Sequence, residues 1–171
     1  MVGKRDAEST SILKIYQKEG TGAMQTSLKS SVEEPEWVLV QPGLFHYPPP
    51  EGQEPALLAS HCGSCESHFF PKRSLCPNCF EKGKLEDTLL PRRGVVYAST
   101  VVQVPSPVGI KPPYAYGYVD IAADRIRVFA LFTGGDPYSF KPGQEVELVL
   151  EPISVNSRGQ QVIGYKFKPV V

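Results

Sequence analysis

From Gly94 onward the chain is written in short apolar runs separated by turn formers: "GVVYASTVVQV", "YAYGYVDIA", "RIRVFALF", "QEVELVLE" and "QQVIGYKFKPV". Each run is rich in β-branched and aromatic residues, which favour the pleated, half-buried surface of a strand. In "EVELVLE", Val146, Leu148 and Leu150 fall on one face, and Glu145, Glu147 and Glu151 fall mostly on the other. That alternation belongs to an antiparallel strand with one face in a core. "IRVFALF" is apolar at nearly every position and is expected to lie centrally. The breaks "AADR", "GGDPYSFKPG" and "NSRG" carry turn chemistry. Five short antiparallel strands over residues 94–171 predict a small closed barrel of the OB type.

Upstream the rhythm changes. Residues 1–56 are mostly polar and irregular, with one helical signal: Ser9 or Thr10 as N-cap, an apolar face of Ile12, Ile15 and Tyr16, and Gly20 as stop. A helix this short is marginal alone and is expected to dock, either on the body of this chain or on a partner. "WVLVQPGLFHYPPP" then mixes aromatics with turn formers, so Trp37, Leu44, Phe45 and Tyr47 are expected to anchor on a surface. The prolines that follow make a stiff spacer. The sequence thus divides into an N-terminal helix and extended arm (1–56), a cysteine segment (57–93) and the barrel (94–171).

Composition limits the function classes. Lysine plus arginine number 18 against 18 acidic residues in 171, and a balanced chain lacks the basic excess that phosphate backbones demand. No apolar run is long enough to span a membrane, and "MVGKRDAESTSILKIYQKEG" is a poor secretory signal. A cytoplasmic location follows as the expectation, and there cysteines stay reduced.

That setting decides how the cysteines are read. All four lie in "HCGSCESHFFPKRSLCPNCF", as Cys62-x-x-Cys65 and Cys76-x-x-Cys79. A two-residue gap lets a tight turn aim two thiolates at one ion, and two such knuckles close a tetrahedral shell. A structural Zn2+ is expected, with iron in a rubredoxin-like site as the chemical rival. His61 and His68 are read as bystanders, and Phe69, Phe70 and Leu75 as the ribbon's small apolar cap. So short a segment buries too little to fold alone, and the metal supplies what the core lacks.

Nothing comparable points to catalysis. The sequence holds no G-x-S-x-G elbow, H-E-x-x-H helix, Walker A loop or G-x-G-x-x-G turn. No catalytic residue is assigned. Lys72, Arg73, Lys82, Lys84, Arg92 and Arg93, with Glu66, Glu81, Glu86 and Asp87 interspersed, make the ribbon and its exit mildly basic, a region able to meet a phosphate. Tyr97, Tyr114, Tyr116 and Tyr118 could stack on bases, which keeps open an OB-fold module for single-stranded nucleic acid, though without the usual charge excess.

The order "FFPKRSLCPNC", "RRGVVYASTVV", "PPYAYGYVDI", "FKPGQEVELVLE" resembles the acyl-CoA-associated family in which a rubredoxin-like zinc ribbon precedes an OB fold. The resemblance covers roughly Pro55 to Val171. It implies a small partner subunit of a thiolase-superfamily protein in a hetero-oligomer, with catalytic residues on the partner and acyl-CoA as the complex's ligand. One candidate within that family is the small subunit of a benzoylsuccinyl-CoA thiolase of aromatic degradation. On that reading Lys72, Arg73, Arg92 and Arg93 are candidate contacts with coenzyme A. Ile12, Ile15, Tyr16, Trp37, Phe45 and Tyr114 are candidate contacts with the partner. The long N-terminal segment matches no motif of the family.

Overall fold

The computed structural model describes residues 36–80, 83–121 and 126–170. Ile12, Ile15, Tyr16 and the expected N-terminal helix lie outside these residues. The described chain is mainly β, with strands β1 (Trp37–Leu39), β2 (Leu58–Cys62), β3 (His68–Phe69), β4 (Leu85–Leu89), β5 (Arg93–Val102), β6 (Tyr114–Ile121), β7 (Ile126–Phe132), β8 (Glu145–Val155) and β9 (Gln161–Pro169).

Five of these strands close into a barrel. β5 pairs antiparallel with both β6 and β8, β6 pairs with β7, and β8 pairs with β9. A short parallel pairing of β7 with β9, Leu131 opposite Lys166 and Phe132 opposite Phe167, completes the circle. This is the five-stranded OB-type barrel that the sequence predicts. Inward residues of every strand form the core, among them Val96, Val119, Val128, Val146, Leu148, Ile163 and Phe167.

Turn chemistry sets the connections. Asn156 accepts from the backbone N–H of Arg158 and Gln160, which folds the β8–β9 hairpin. Asp136 caps the 3-10 turn Pro137–Ser139 by accepting from the Tyr138 N–H. That turn delivers Phe140 into the core, stacked on Phe132 with centroids 4.7 Å apart. β5 bulges between Val96 and Ala98, and there it runs tight against β6. A Cβ on Gly117 would stand 1.9 Å from the Ala98 carbonyl oxygen, so only glycine fits.

Two features of the strands differ from the sequence reading. β7 is not buried on both faces. Ile126, Val128, Ala130 and Phe132 point inward, while Arg127 and Phe129 are exposed, because a barrel strand has one side in solvent. The barrel also carries a sixth strand that the sequence pattern did not single out. β1 pairs parallel with the start of β9, Trp37 opposite Gln161 and Leu39 opposite Ile163. It occupies the stretch of β9 where pairing with β7 is lacking.

A second sheet, β3-β2-β4, forms the ribbon. Its attachment to the barrel corrects the expected apolar cap. Leu75 is 37% exposed, whereas Phe70 turns onto Tyr165 of β9 at 5.8 Å and 82°. The ribbon is too small to bury Phe70 within itself, so the ring is buried better against the barrel. Leu57 and Leu90, at the two ends of the ribbon, join the same core cluster.

Phe45 also belongs to that cluster. It is 2% exposed and meets Tyr165 edge-on at 6.3 Å. The expectation that Phe45 faces a partner is therefore corrected: the ring is spent on the chain's own core. Trp37 is half-buried, packed on the core and set edge-on to Tyr47 at 4.9 Å.

Candidate metal centre and surrounding surface

The two cysteine knuckles are built alike. In the first, the Glu66 N–H donates to the Cys62 carbonyl, and in the second the Phe80 N–H donates to the Cys76 carbonyl, at 2.8 and 2.9 Å. Both residues adopt positive φ, 54° and 56°, a left-handed turn that brings the two thiols of each knuckle to the same side. Asn78 of the second knuckle donates to the Ser67 hydroxyl beside the first at 2.9 Å. The ribbon sheet holds the first knuckle through the Gly63 N–H, which donates to the Lys84 carbonyl.

These turns gather Cys62, Cys65, Cys76 and Cys79, with all four sulfurs within 4.8 Å of one another. The cross-knuckle distances are 3.6 Å for Cys62 to Cys79 and 3.5 Å for Cys65 to Cys76. A tetrahedron with Zn–S bonds of about 2.3 Å has edges near ~3.8 Å, so the donor set fits zinc in both chemistry and size. Cys62 and Cys76 are fully buried. Burial pushes the Cys76 thiol up, but the backbone N–H groups of Cys79 and Asn78 and the neighbouring thiols leave it below its ordinary value. His61 stacks on His68 at 4.5 Å and reaches Glu66 at 3.2 Å, and neither histidine enters the four-sulfur group.

The basic candidates are placed differently from one another. Lys72 holds Asp87 of β4 at 2.7 Å, and the Arg73 backbone is fixed by the buried Ser60 hydroxyl at 2.9 Å. Arg92, at the ribbon's exit, pairs with Glu54 and lies 3.7 Å from Glu147. Lys168 also holds Glu147, at 3.1 Å, and keeps that carboxyl below the usual range. Arg93 is exposed at the start of β5. Lys72 and Arg92 thus each hold a carboxylate, which a phosphate would have to displace. Tyr114 is half-buried at the start of β6, opposite Val102.

A cluster that the sequence reading did not assemble lies on the outer face of β5, β6 and β7. Tyr97, Tyr118 and Phe129 are 52%, 45% and 49% exposed. Phe129 meets Tyr118 at 5.5 Å and Tyr116 at 5.2 Å. Arg127 lies over the Tyr97 ring at 3.2 Å and donates to both oxygens of Asp120, at 2.6 and 2.9 Å. The spacing of Tyr114, Tyr116 and Tyr118 was a visible signal for one outward face. The cross-strand partners Phe129 and Arg127 needed the register.

Comparison with known proteins fits this architecture. Residues 51–86 match the model of the ChsH2 rubredoxin-like zinc ribbon domain, and residues 87–151 that of the ChsH2 C-terminal OB-fold domain. The benzoylsuccinyl-CoA thiolase subunit BbsA of Thauera aromatica is 33% identical over 142 residues, 83% of this chain and 95% of that subunit. The chain belongs to the ChsH2 family. A DUF35 domain-containing scaffold protein of Methanothermobacter thermautotrophicus is 34% identical over 118 residues, 66% of this ChsH2-family chain and 86% of the relative. A chain of the solved Ltp2-ChsH2(DUF35) aldolase shares the fold, with a TM-score of 0.56 at 21% identity over 68% of this chain and 86% of its own. The match to the ChsH2 OB-fold model stops at residue 151, before β8 ends and before β9 closes the barrel. Among the described residues, no helix is long and apolar enough to cross a membrane.

Proposed function

We propose that this chain is the non-catalytic, zinc-stabilised subunit of a thiolase-type complex that makes or breaks carbon–carbon bonds in CoA thioesters. The observation that carries the reading is the similarity to BbsA over 95% of that subunit's length. The metal centre supports it, since four sulfur ligands leave a bound zinc no open position for a substrate. The metal's part is to hold the ribbon together. The chain's own residues then present the ribbon and the outer barrel as assembly surface, in a cytoplasmic hetero-oligomer.

Contact with coenzyme A belongs to this proposal in a restricted form. Arg73 and Arg93, both exposed, are the cations best placed to meet a phosphate, because Lys72 and Arg92 are each engaged by a carboxylate. The BbsA subunits of Thauera aromatica and Geobacter metallireducens, 33% and 32% identical, make benzoylsuccinyl-CoA thiolysis the reaction to assay first.

The test is co-purification of the tagged chain from extracts of its source cells, with mass spectrometry of what accompanies it, metal analysis, and assays of chain and complex. A near-stoichiometric thiolase-superfamily protein is expected, with CoA-thioester activity in the complex and none in the isolated chain. Thiolytic activity from this chain alone, or the absence of any such partner, would sink the proposal.

A further inference from the structure

The outer face of β5–β6–β7 poses a problem of solvation. Rings the size of Tyr and Phe carry roughly 200 Å² each, so three that are half exposed leave on the order of 300 Å² of largely apolar surface in one place. That is as large as the largest patch on a typical monomer, and such patches mark interaction sites. The composition is also that of an interface centre, where Tyr and Arg are enriched and unpaired charge is depleted.

Charge decides what class of molecule belongs there. Single-stranded nucleic acid stacks on such rings, but it also needs cations free to track phosphates. The cation set among these rings is Arg127, whose Nε and Nη2 edge is held by both oxygens of Asp120 while its plane lies on Tyr97. A phosphate arriving there would meet the Asp120 carboxylate. With the pair neutralised, the face complements an uncharged surface and offers a polyanion no net positive charge.

Area narrows it further. A standard interface takes about 800 Å² from each partner, more than twice what these rings expose. Two copies joined through the rings alone would fall short of a stable dimer. A larger protein that covers the rings and extends past them along the outer strand faces would reach it.

From these observations, and resting on the function proposed above, we infer that Tyr97, Tyr118, Phe129 and the Asp120–Arg127 pair form the docking centre for an uncharged, apolar patch of the thiolase-type subunit. Tyr118 and Phe129 are its anchors. Arg127 is a positioning residue that holds the Tyr97 ring flat.

The experiment uses the tagged full-length chain in its source cells and reads the amount of thiolase-superfamily protein recovered per mole of bait. The variants are Tyr118→Ser/Phe129→Ser and Tyr118→Arg, with Val108→Ser on the β5–β6 loop as control, each checked for melting temperature and zinc content. Recovery is expected to drop about tenfold or more in the first two and to stay at the wild-type level in the control. Equal recovery by all three, with wild-type melting, overturns the inference and leaves the proposed function standing. No thiolase-superfamily protein with the wild-type chain removes both. Light scattering and titration with a fluorescent oligothymidylate at physiological salt complete the set. A wild-type dimer dissolved by Tyr118→Arg, or oligothymidylate binding lost in the same variants, assigns the face elsewhere and overturns the inference.

Discussion

Phe70 of the ribbon stands edge-on to Tyr165 of the barrel, ring centroids 5.8 Å apart and planes at 82°. Tyr165 receives Phe45 in the same manner and donates its hydroxyl to the Phe129 carbonyl at 2.9 Å. Burial raises its phenol above the ordinary value, so it remains a donor. One tyrosine thus joins ribbon, arm and barrel, and Phe70→Ala is expected to cost about 2 kcal/mol, below the range of about 3–5 kcal/mol for fully buried aromatics because the ring is half-buried. Urea unfolding of wild type and variant checks this, and an unchanged midpoint would show that the seam does not hold.

Gly117→Ala has a different mechanism. The new Cβ would collide with the Ala98 carbonyl at the β5 bulge, where both neighbours are backbone and cannot turn aside. Overpacking of this kind costs about 1–3 kcal/mol. A lowered melting temperature by calorimetry is the expected outcome, and wild-type melting would mean that β5 and β6 part easily.

Cys62→Ser or Cys76→Ser removes a buried sulfur from the cluster. Elemental analysis should fall from one zinc per chain to near none, and the melting temperature should drop, because structural zinc contributes on the order of ~10 kcal/mol in isolated fingers. Metal retained in both variants, with unchanged melting, would contradict a zinc-held ribbon.

Asp120 gives a pH signature. The Arg127 hydrogen bonds hold its carboxyl below the usual range against a small opposing effect of burial. A depressed carboxyl stabilises the fold above its unfolded value of about 3.9 and loses that stabilisation as pH falls through the lower folded value. The stability difference between wild type and Asp120→Asn should therefore be present at neutral pH, stay under about 1 kcal/mol because the pair is exposed and screened, and vanish in strong acid. A difference that grows below pH 4 would reverse the assignment.

The barrel strands and the metal ligands were legible because each rests on a local pattern. Val146, Leu148 and Leu150 alternate within one run, and the cysteine gaps are fixed by turn geometry. What was not legible depends on pairing between distant segments. Trp37–Leu39 is too short to announce a strand, and it becomes one only because the edge of β9 opposite β8 is left unpaired by β7 at Gln161–Ile163. Phe45 reads as a partner contact and Phe70 as part of the ribbon's own cap, and only Tyr165 shows that both rings pack on the barrel. Lys72 and Arg92 read as available cations until Asp87 and Glu54 are placed beside them.

The position of β1 carries a practical consequence for anyone dissecting the molecule. Among the described residues, the polypeptide lies down on the barrel at Trp37–Leu39, leaves it to form the ribbon, and returns to build β5. The ribbon is thus an excursion within the barrel's own path, tied at both of its feet by Leu57 and Leu90. A fragment that starts at the first knuckle would leave the margin of β9 unzipped, with its amide groups open to any passing strand. A transplantable piece must therefore include Glu36, whose carbonyl takes the Gln161 N–H.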